Sequence, residues 1–232
     1  MNHQLLENVG KKVLDAFNII KDNGKEHFNI SLKSKNDAVT NIDLALQSSI
    51  VDIIREFDSE TPIISEENFT DHNDKETAWI IDPLDGTSNF IQKLNPIAVS
   101  IAKVAQKEVL YSVVIDLFSS DIYTAVKNEG ARLNQKKLPI IKENIKLIGL
   151  STGYLNKGGN VPDGYNARIL GSQALHLCLV ASGALSASLN YESKAWDDVA
   201  GSLIIKEAGF FYSNNYSSLY NWSYLASRNN SL

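Results

Sequence analysis

The sequence predicts a mixed α/β protein, with an α+β first half and an α/β second half. An amphipathic helical pattern covers residues 5–21, and short apolar runs bounded by turn residues follow it. Near Leu138-Pro139 the pattern changes from hairpins to alternating strands and helices. We therefore divide one compact unit into residues 1–138 and residues 139–232.

Composition limits the classes of function that the chain can serve. Of its 232 residues, 44% are hydrophobic and 21% are charged, which is ample for a globular core. A net charge of −5 does not favour coating nucleic acid or a membrane surface. No apolar run approaches the ~20 residues of a membrane span, and no signal peptide pattern opens the chain. With one cysteine, Cys178, we expect a cytoplasmic protein without an internal disulfide.

Two helices are predicted in the first third of the chain. In residues 5–21 the apolar side chains fall on one face, and Asp22-Asn23-Gly24 ends the helix. A strand over residues 28–33 and a polar loop follow. A second helix is predicted to begin at Thr40 or Asn41, which places Asp43 in its first turn. A carboxylate is favourable there, so Asp43 is either a helix-dipole residue or part of a site.

The stretch from Ala78 to Phe90 carries the clearest chemistry. Its apolar start, Trp79 to Ile81, predicts a buried strand, and Pro83 is expected to end the ladder because proline has no N–H. Asp85-Gly86 is typical of a turn, and Thr87-Ser88 are suited to begin a helix. Two carboxylates three positions apart would thus lie beside free backbone N–H groups, a pattern suited to a cation and a phosphate.

A look-alike motif is excluded by one residue. Leu84 to Thr87 is similar to part of the DxDGT loop of haloacid-dehalogenase-type phosphatases, which requires a nucleophilic Asp two positions before Asp85. That position is Pro83, so an aspartyl-phosphate route is disfavoured. No His-x-x-x-His or Cys-x-x-Cys pattern occurs, which disfavours zinc.

The second half is predicted to alternate strands and helices. A strand over residues 147–151 leads into a loop over residues 152–166, which is rich in Gly, Asn and Pro. A helix is predicted from about Gly171 to Ser182, with His176 as a packing or surface residue. Asp197 is predicted at the start of another helix, as an N-cap, a metal ligand or both, while Asp198 is expected to be solvated.

The stretch from Asp82 to Phe90 resembles the DPxDGTxNF signature of the inositol monophosphatase family, the lithium-sensitive, magnesium-dependent sugar phosphatases. Further matches, spread over Asp37 to Gly209, are the segments Asp37–Asp43 (D-x-V-T-x-x-D), Ser65-Glu66-Glu67 (S-E-E), Gly171–Ala174 (G-S-x-A) and Trp196–Gly201 (W-D-x-A-A-G, with Val199 in place of the first Ala). The resemblance implies a five-layer αβαβα sandwich, an active site between the halves, and a homodimer.

The resemblance also implies roles for individual residues. Two or three Mg²⁺ ions, or Mn²⁺, would bind oxygen atoms of Glu66, Asp82, Leu84 (its carbonyl), Asp85 and Asp197. Glu66, Thr87 and Asp43 would be catalytic in a direct in-line attack by metal-bound water. The implied substrate contacts are Asp85, Gly86, Thr87, Ser88, Gly171, Ser172, Gln173, Asn190 and Asp197. Lys33 or Lys35 matches the family's phosphate-side lysine, with an exposed loop lysine as the simpler reading.

The expected substrate is a small phosphorylated metabolite, with inositol 1-phosphate as the first choice. Inositol-specific relatives carry a Glu seven positions before the last metal Asp, where this chain has Asn190. The departure keeps 3′-phosphoadenosine 5′-phosphate, fructose 1,6-bisphosphate and histidinol phosphate as alternatives. A non-catalytic regulator that binds transcription machinery is an alternative of another class. Nucleic acid and membrane partners are not expected.

Overall fold

The structure is a computed structural model that describes residues 1–23, 30–34, 37–68, 76–141, 145–218 and 221–227. Lys35, residues 28–29 of the predicted strand over residues 28–33, and the loop over residues 69–75 lie outside these ranges. The helices are α1 (His3–Asn23), α2 (Asn41–Arg55), α3 (Thr87–Ile91), α4 (Thr152–Asn156), α5 (Gln173–Ser182) and α6 (Ala195–Glu207). The strands are β1 (Ile30–Ser34), β2 (Asp37–Thr40), β3 (Ile63–Ser65), β4 (Thr77–Asp85), β5 (Ala98–Ala105), β6 (Glu108–Asp116), β7 (Ile122–Val126), β8 (Gly130–Leu133), β9 (Lys136–Lys137), β10 (Leu147–Leu150), β11 (Asn166–Arg168), β12 (Ala187–Ser193), β13 (Phe211–Ser218) and β14 (Asn221–Ser227).

These elements stack in five layers, as the family resemblance implies. Helices α1 and α2 cover one face of a seven-stranded sheet with the order β3-β4-β5-β6-β7-β8-β9. Helices α5 and α6 lie between that sheet and a five-stranded sheet with the order β11-β10-β12-β14-β13. Helix α4 packs against β12 on the far side of the second sheet. The mixed α/β fold predicted from the sequence is confirmed.

The first two helices form for the reasons that the sequence indicates. Helix α1 buries one apolar stripe, including Val13 and Phe17, against α2 and the sheet. Helix α2 begins after Thr40, whose hydroxyl accepts hydrogen bonds from the N–H groups of Ile42 and Asp43. The Asp43 carboxylate accepts in return from the Thr40 N–H at 2.8 Å, which completes a capping box. Of the two expected cap residues, Thr40 is therefore the N-cap.

Strand β4 continues through Pro83, and the expectation that Pro83 ends the ladder is wrong. Asp82 pairs with Ser100 and Asp85 pairs with Ala98, so β4 has one residue more than β5 between these pairs. The extra residue makes a bulge, where a proline is tolerated because its missing N–H is not needed. The bulge keeps Asp82 and Asp85 on the same strand while it changes their relative direction.

The second half departs from the sequence prediction in one element. Residues 152–156 form the short helix α4, within a stretch that was expected to be loop throughout. The Ser151 hydroxyl accepts a hydrogen bond from the Tyr154 N–H at 3.0 Å and caps this helix. Tyr154 and Leu155 then pack on the apolar side of the five-stranded sheet. In the described residues, we find no helix with the length and apolar character of a membrane span.

Candidate active site

The bulge in β4 shapes the first part of the site. The Asp82 Oδ1 atom accepts a hydrogen bond from the Leu84 N–H at 2.9 Å, which folds the chain back over this carboxylate. Gly86 then has φ 98°, a left-handed conformation that favours glycine, and it precedes the first residue of α3. Asp82 and Asp85 are both buried, whereas Ser88 on α3 is exposed. The sequence-predicted residues of this stretch thus form a tight turn at the end of a strand.

Thr87 links this turn to helix α2. Its hydroxyl lies 3.0 Å from Asp43 Oδ1 and 2.9 Å from the Leu84 carbonyl oxygen, and its single proton can serve one of these acceptors at a time. The other Asp43 oxygen accepts hydrogen bonds from the N–H and the hydroxyl of Thr40. Asp43 therefore supports the helix start and also contacts Thr87, while its catalytic role stays a prediction.

Asp85 links the turn to the start of helix α5. Its Oδ2 atom accepts hydrogen bonds from the Ser172 hydroxyl at 2.6 Å and the Ala174 N–H at 2.8 Å. The Gln173 N–H also donates to this carboxylate. The resemblance assigned Ser172 and the amides of this segment to the substrate. The Ser172 hydroxyl and the Gln173 N–H already donate hydrogen bonds to Asp85. Any contact that these two groups make with a ligand would therefore lie next to that carboxylate.

Helix α6 brings the third acidic segment to the site. Lys194 is its N-cap residue, and Asp197 lies three positions later, where its Oδ2 atom accepts from the Lys194 N–H at 3.1 Å. The interpretation of Asp197 as the N-cap is therefore wrong, although the carboxylate still supports the helix start. The expectation that Asp198 is solvated is also wrong. Asp198 is fully buried and accepts a hydrogen bond from the Ser193 hydroxyl, and its Oδ1 atom has no hydrogen-bond partner among the described residues.

The four acidic residues are close enough to interact through their charges. Burial raises the pKa of Asp82 well above its usual value, and the charges of Glu66, Asp85 and Asp197 raise this pKa further. Burial likewise raises the pKa of Asp197, with further increases from Asp85 and Glu66. The structure therefore brings together Glu66, Asp82, Asp85 and Asp197 from distant parts of the sequence.

Asp85 shows how the chain moderates this repulsion. Burial raises the pKa of Asp85 to about 6, and the Glu66 charge raises it as well. The hydrogen bonds from Ser172, Ala174 and Gln173 lower this pKa because they stabilise the charged form. Asp85 thus receives three donors from the protein, two of them at its Oδ2 atom, while it still experiences the charge of the neighbouring carboxylate.

The donor chemistry of this cluster fits a hard divalent cation. Carboxylate and carbonyl oxygens are the ligands that Mg²⁺ and Mn²⁺ prefer. A cation between the carboxylates would relieve their mutual repulsion, which helps to raise the pKa values of Asp82, Asp85 and Asp197. Among the described residues, no group of three or more His, Cys, Asp or Glu side chains has an arrangement that could hold a metal ion as it stands. The chain itself therefore supplies neighbouring acidic groups rather than a completed coordination shell.

A pocket of about 260 Å³ opens beside the acidic cluster. Asp197 belongs to the acidic cluster and also lines the pocket. Other residues that line the pocket are Gly171, Ser172, Gln173 and Asn190. Asn190 is 6% exposed, its Oδ1 atom accepts from the Tyr191 N–H at 2.7 Å, and its buried Nδ2 atom has no hydrogen-bond partner in the described residues. A buried amide without an acceptor is unfavourable unless a water or ligand supplies one.

His176 also lines this pocket, but its environment indicates a packing role. Burial lowers its pKa to about 4, so the ring is neutral near pH 7. Its Nε2 atom accepts from the Leu170 N–H at 3.3 Å, and its Nδ1 atom lies 3.2 Å from Gln173 Oε1. This is consistent with the prediction that His176 is a packing residue.

Comparison with known proteins identifies the family. The sequence model of the inositol monophosphatase family matches residues 1–228. A Haemophilus influenzae relative named Nus factor SuhB is 37% identical over 84% of this chain and 79% of its own length. An Aquifex aeolicus relative named fructose-1,6-bisphosphatase/inositol-1-monophosphatase is 30% identical over the same shares of the two chains. The solved structure of a Thermotoga maritima IMPase superimposes with a TM-score of 0.82 at 27% identity, covering 96% of this chain and 91% of that one. The chain therefore belongs to the inositol monophosphatase family.

Proposed function

We propose that this chain is a magnesium-dependent phosphomonoesterase that hydrolyses a small phosphorylated metabolite. Members of its family are generally phosphatases. The observation that carries the proposal is the cluster of Glu66, Asp82, Asp85 and Asp197, in which burial and the neighbouring charges, that of Glu66 included, raise the pKa values of the three Asp residues. A structural role does not account for that unfavourable arrangement, whereas binding of divalent cations does.

Each residue at the site has a role in this proposal. Glu66, Asp82, Asp85, Asp197 and the Leu84 carbonyl hold two or three Mg²⁺ ions, and Mn²⁺ suits the same oxygen ligands. When bound, these ions would neutralise the carboxylates and the phosphate and lower the pKa of a nearby water.

The chain's own groups would orient the attack on phosphorus. The Thr87 hydroxyl, 3.0 Å from Asp43, would donate a hydrogen bond to that carboxylate, which makes its oxygen a better acceptor for a hydrogen bond from the attacking water. Glu66 orients the same water from the other side, and the N–H groups of Gly86 and Thr87 hold phosphate oxygens. No covalent phosphoenzyme is required, because the phosphoryl group passes directly to water.

The pocket beside Asp197 supports a small, neutral leaving group, and inositol 1-phosphate remains the first choice. Its volume of about 260 Å³ is just below the roughly 300–1,000 Å³ of typical ligand pockets. The Asn190 Nδ2 atom, which lacks an acceptor within the described structure, would donate to a hydroxyl oxygen of the sugar. Of the described residues that line this pocket, none is Lys or Arg, which disfavours a second phosphate there.

The alternative substrates differ in what they would need from this pocket. Fructose 1,6-bisphosphate and 3′-phosphoadenosine 5′-phosphate each carry a second phosphate, and histidinol phosphate carries an amine. The name of the Aquifex relative includes both a fructose bisphosphatase and an inositol monophosphatase, so the bisphosphate stays among the candidates.

A second function is favoured by the names of the relatives. The Haemophilus and Pasteurella proteins, at 37% and 36% identity, are both named Nus factor SuhB. Binding to transcription machinery is therefore the second candidate for this chain, either in place of catalysis or beside it. A pull-down with purified RNA polymerase and its elongation factors, using the wild-type chain, would detect it.

The proposed activity is tested by a phosphate-release screen. The substrates are inositol 1-phosphate, 3′-phosphoadenosine 5′-phosphate, fructose 1,6-bisphosphate and histidinol phosphate, each with Mg²⁺, with Mg²⁺ plus Li⁺, and with a chelator. We expect release that needs Mg²⁺ and is inhibited by Li⁺, fastest with inositol 1-phosphate. Release from none of the four substrates would reject the proposal, and equal release with the chelator would reject its metal dependence.

A further inference from the structure

Two backbone segments approach each other closely at the proposed phosphate site. The first is the turn at Gly86, and the second is the segment 170–174, which leads from β11 into α5. A Cβ atom on Gly86 would lie 3.3 Å from the Gly171 carbonyl oxygen and 3.1 Å from the Pro96 carbonyl oxygen. Gly86 and Gly171 both have positive φ, 98° and 78°. The two segments are therefore packed backbone against backbone, which leaves no room for side chains.

One side chain connects these segments. The Asn89 Nδ2 atom donates to the Pro96 carbonyl at 2.8 Å and to the Leu170 carbonyl at 2.8 Å. A primary amide has two N–H donors, and this geometry uses both of them. A Cβ atom on Gly171 would lie 2.8 Å from the same Asn89 nitrogen, so the amide fills the remaining space. Asn89 thus joins three parts of the chain: helix α3, the loop before β5, and the segment before α5.

Asp85 holds the same segment from the other side. Its carboxylate accepts hydrogen bonds from Ser172 and Ala174, while Asn89 donates to Leu170. Asp85 and Asn89 lie on either side of Thr87 in the sequence, so they enclose the groups assigned to the phosphate. The chain fixes the segment 170–174 at two points, and only the Asp85 contact also involves a candidate metal ligand.

We infer that Asn89 is a positioning residue that fixes the segment 170–174 against the Gly86-Thr87 turn, a role that rests on the proposed phosphatase function. Asn89 does not touch the reacting atoms in this arrangement. It sets the separation between the turn that would hold the phosphate and the segment that orients Asp85. Because small displacements disturb in-line geometry, loss of this amide should act on the chemical step more than on binding of the substrate.

The test compares Asn89→Ala and Asn89→Asp with matched variants of Asn134. Asn134 likewise makes two side-chain hydrogen bonds: its Nδ2 atom donates to Asp121 at 2.6 Å and its Oδ1 atom accepts from the Ile122 N–H at 2.9 Å. It lies in the turn between β8 and β9, at an edge of the seven-stranded sheet. The two Ala variants each lose two side-chain hydrogen bonds. An Asp at position 89 also loses both, whereas an Asp at position 134 keeps the one that it accepts from the Ile122 N–H, so the Ala pair is the matched comparison.

We expect kcat for inositol 1-phosphate to fall about 10- to 100-fold in the Asn89 variants, while KM changes less than about threefold. The Asn134 variants should keep the wild-type kcat, even where their melting temperatures fall as far. In the Asn89 variants, the amides of Gln173 and Ala174 should also exchange hydrogen at least about tenfold faster, relative to the middle of α5.

The outcomes separate this inference from the proposed function. A wild-type chain that hydrolyses none of the four substrates contradicts the proposed function and, with it, the catalytic role of Asn89. An active wild type with unchanged kcat in the Asn89 variants overturns the inference alone. A fall in kcat without faster exchange at Gln173 and Ala174 also overturns it, because the loss then has another origin.

Discussion

Two acidic regions of this molecule use carboxylates in opposite ways. Asp58 is 15% exposed at its side chain and accepts hydrogen bonds from Lys103 Nζ at 2.6 Å, Trp79 Nε1 at 2.8 Å and the Thr61 N–H. Burial raises its pKa, but these donors outweigh burial and hold the pKa below its usual range. In the acidic cluster of Glu66, Asp82, Asp85 and Asp197, burial and neighbouring carboxylates instead raise the pKa values of the three Asp residues.

The difference indicates which region is built for a ligand. At Asp58 the chain provides the cation, Lys103, and the carboxylate is satisfied within the fold. In the acidic cluster, carboxylates from three distant segments face one another, and a cation from solution would complete the arrangement. We therefore interpret Asp58 as a structural residue and the cluster as a functional site. The following predictions test this contrast.

The largest expected effect is on catalysis, in Asp82→Asn. We expect kcat/KM with Mg²⁺ to fall at least about a thousandfold, or about 4 kcal/mol, because one proposed metal ligand loses its charge. The fold should remain, since the Asn oxygen can still accept from the Leu84 N–H and one source of repulsion is removed. Phosphate release and thermal unfolding measure the two effects. Full activity in this variant would contradict the assignment of the site.

Asp58→Asn is the matched control, and its effect should be on stability. Breaking a largely buried ion pair leaves Lys103 without its partner, which should lower the free energy of unfolding by about 3 kcal/mol. The pKa of Asp58 is lowered in the folded protein. Its contribution to the free energy of unfolding is therefore present above the pKa of an unfolded Asp, about 4, and is lost as the pH falls through the folded pKa. The difference from wild type in urea unfolding should therefore narrow below about pH 4.

In the same Asp58→Asn variant, kcat should stay at the wild-type value under conditions where the protein remains folded. A large loss of kcat without a loss of stability would remove the distinction between the two regions.

The next effect concerns magnesium and pH. The pKa values of Asp82, Asp85 and Asp197 are raised in the folded protein. Their favourable contribution to the free energy of unfolding is therefore present below about pH 4, and it is lost as the pH rises through the folded pKa values, such as the value of about 6 for Asp85. Mg²⁺ at about 100 times its dissociation constant should raise the free energy of unfolding by about 2.7 kcal/mol near pH 7.5 and by clearly less near pH 5. Melting curves with and without Mg²⁺ at both pH values check this. A larger Mg²⁺ effect at the lower pH would contradict it.

The smallest effect is expected at Asn190. Removing its amide in Asn190→Ala should raise KM for inositol 1-phosphate about fivefold, close to 1 kcal/mol for one hydrogen bond, with little change in kcat. The same variant loses the hydrogen bond that the Oδ1 atom accepts from the Tyr191 N–H, so the free energy of unfolding should fall by about 1 kcal/mol. Steady-state kinetics and thermal unfolding check both points. An unchanged KM would contradict a contact between Asn190 and the substrate.

Much of the site was predictable because its chemistry lies in short, local segments. In the run from Asp82 to Thr87, the turn at Asp85-Gly86 and the helix start at Thr87 follow from the local sequence. The helix start at Thr40 with Asp43 in its first turn is likewise local, and the structure confirms it and adds a capping box between these two residues. The family resemblance predicts the convergence of Glu66, Asp82 and Asp197, and the raised pKa values of Asp82 and Asp197, to which the Glu66 charge contributes, agree with it. Their roles as metal ligands stay a prediction.

The sequence interpretations failed where long-range packing decided. Asp198 was expected in solvent, but α6 lies between the two sheets and is buried on nearly all sides. The signal was present in residues 199–205, which carry no charged side chain and offer no solvent face. Pro83 was expected to end a strand that continues through a bulge, because pairing with β5 resumes at Asp85. The sequence places Asn89 in the DPxDGTxNF match but gives no sign of its contacts, since its two acceptors lie at positions 96 and 170, outside its own segment.

Titration of Mg²⁺ into the purified, metal-free chain by calorimetry, beside Asp82→Asn and Asp58→Asn, tests the central claim most directly. We predict saturable binding of at least two ions to the wild type and to Asp58→Asn, and loss of at least one of them in Asp82→Asn. The same binding in all three proteins, or no saturable binding to the wild type near neutral pH, would contradict the claim that this acidic cluster is a magnesium site.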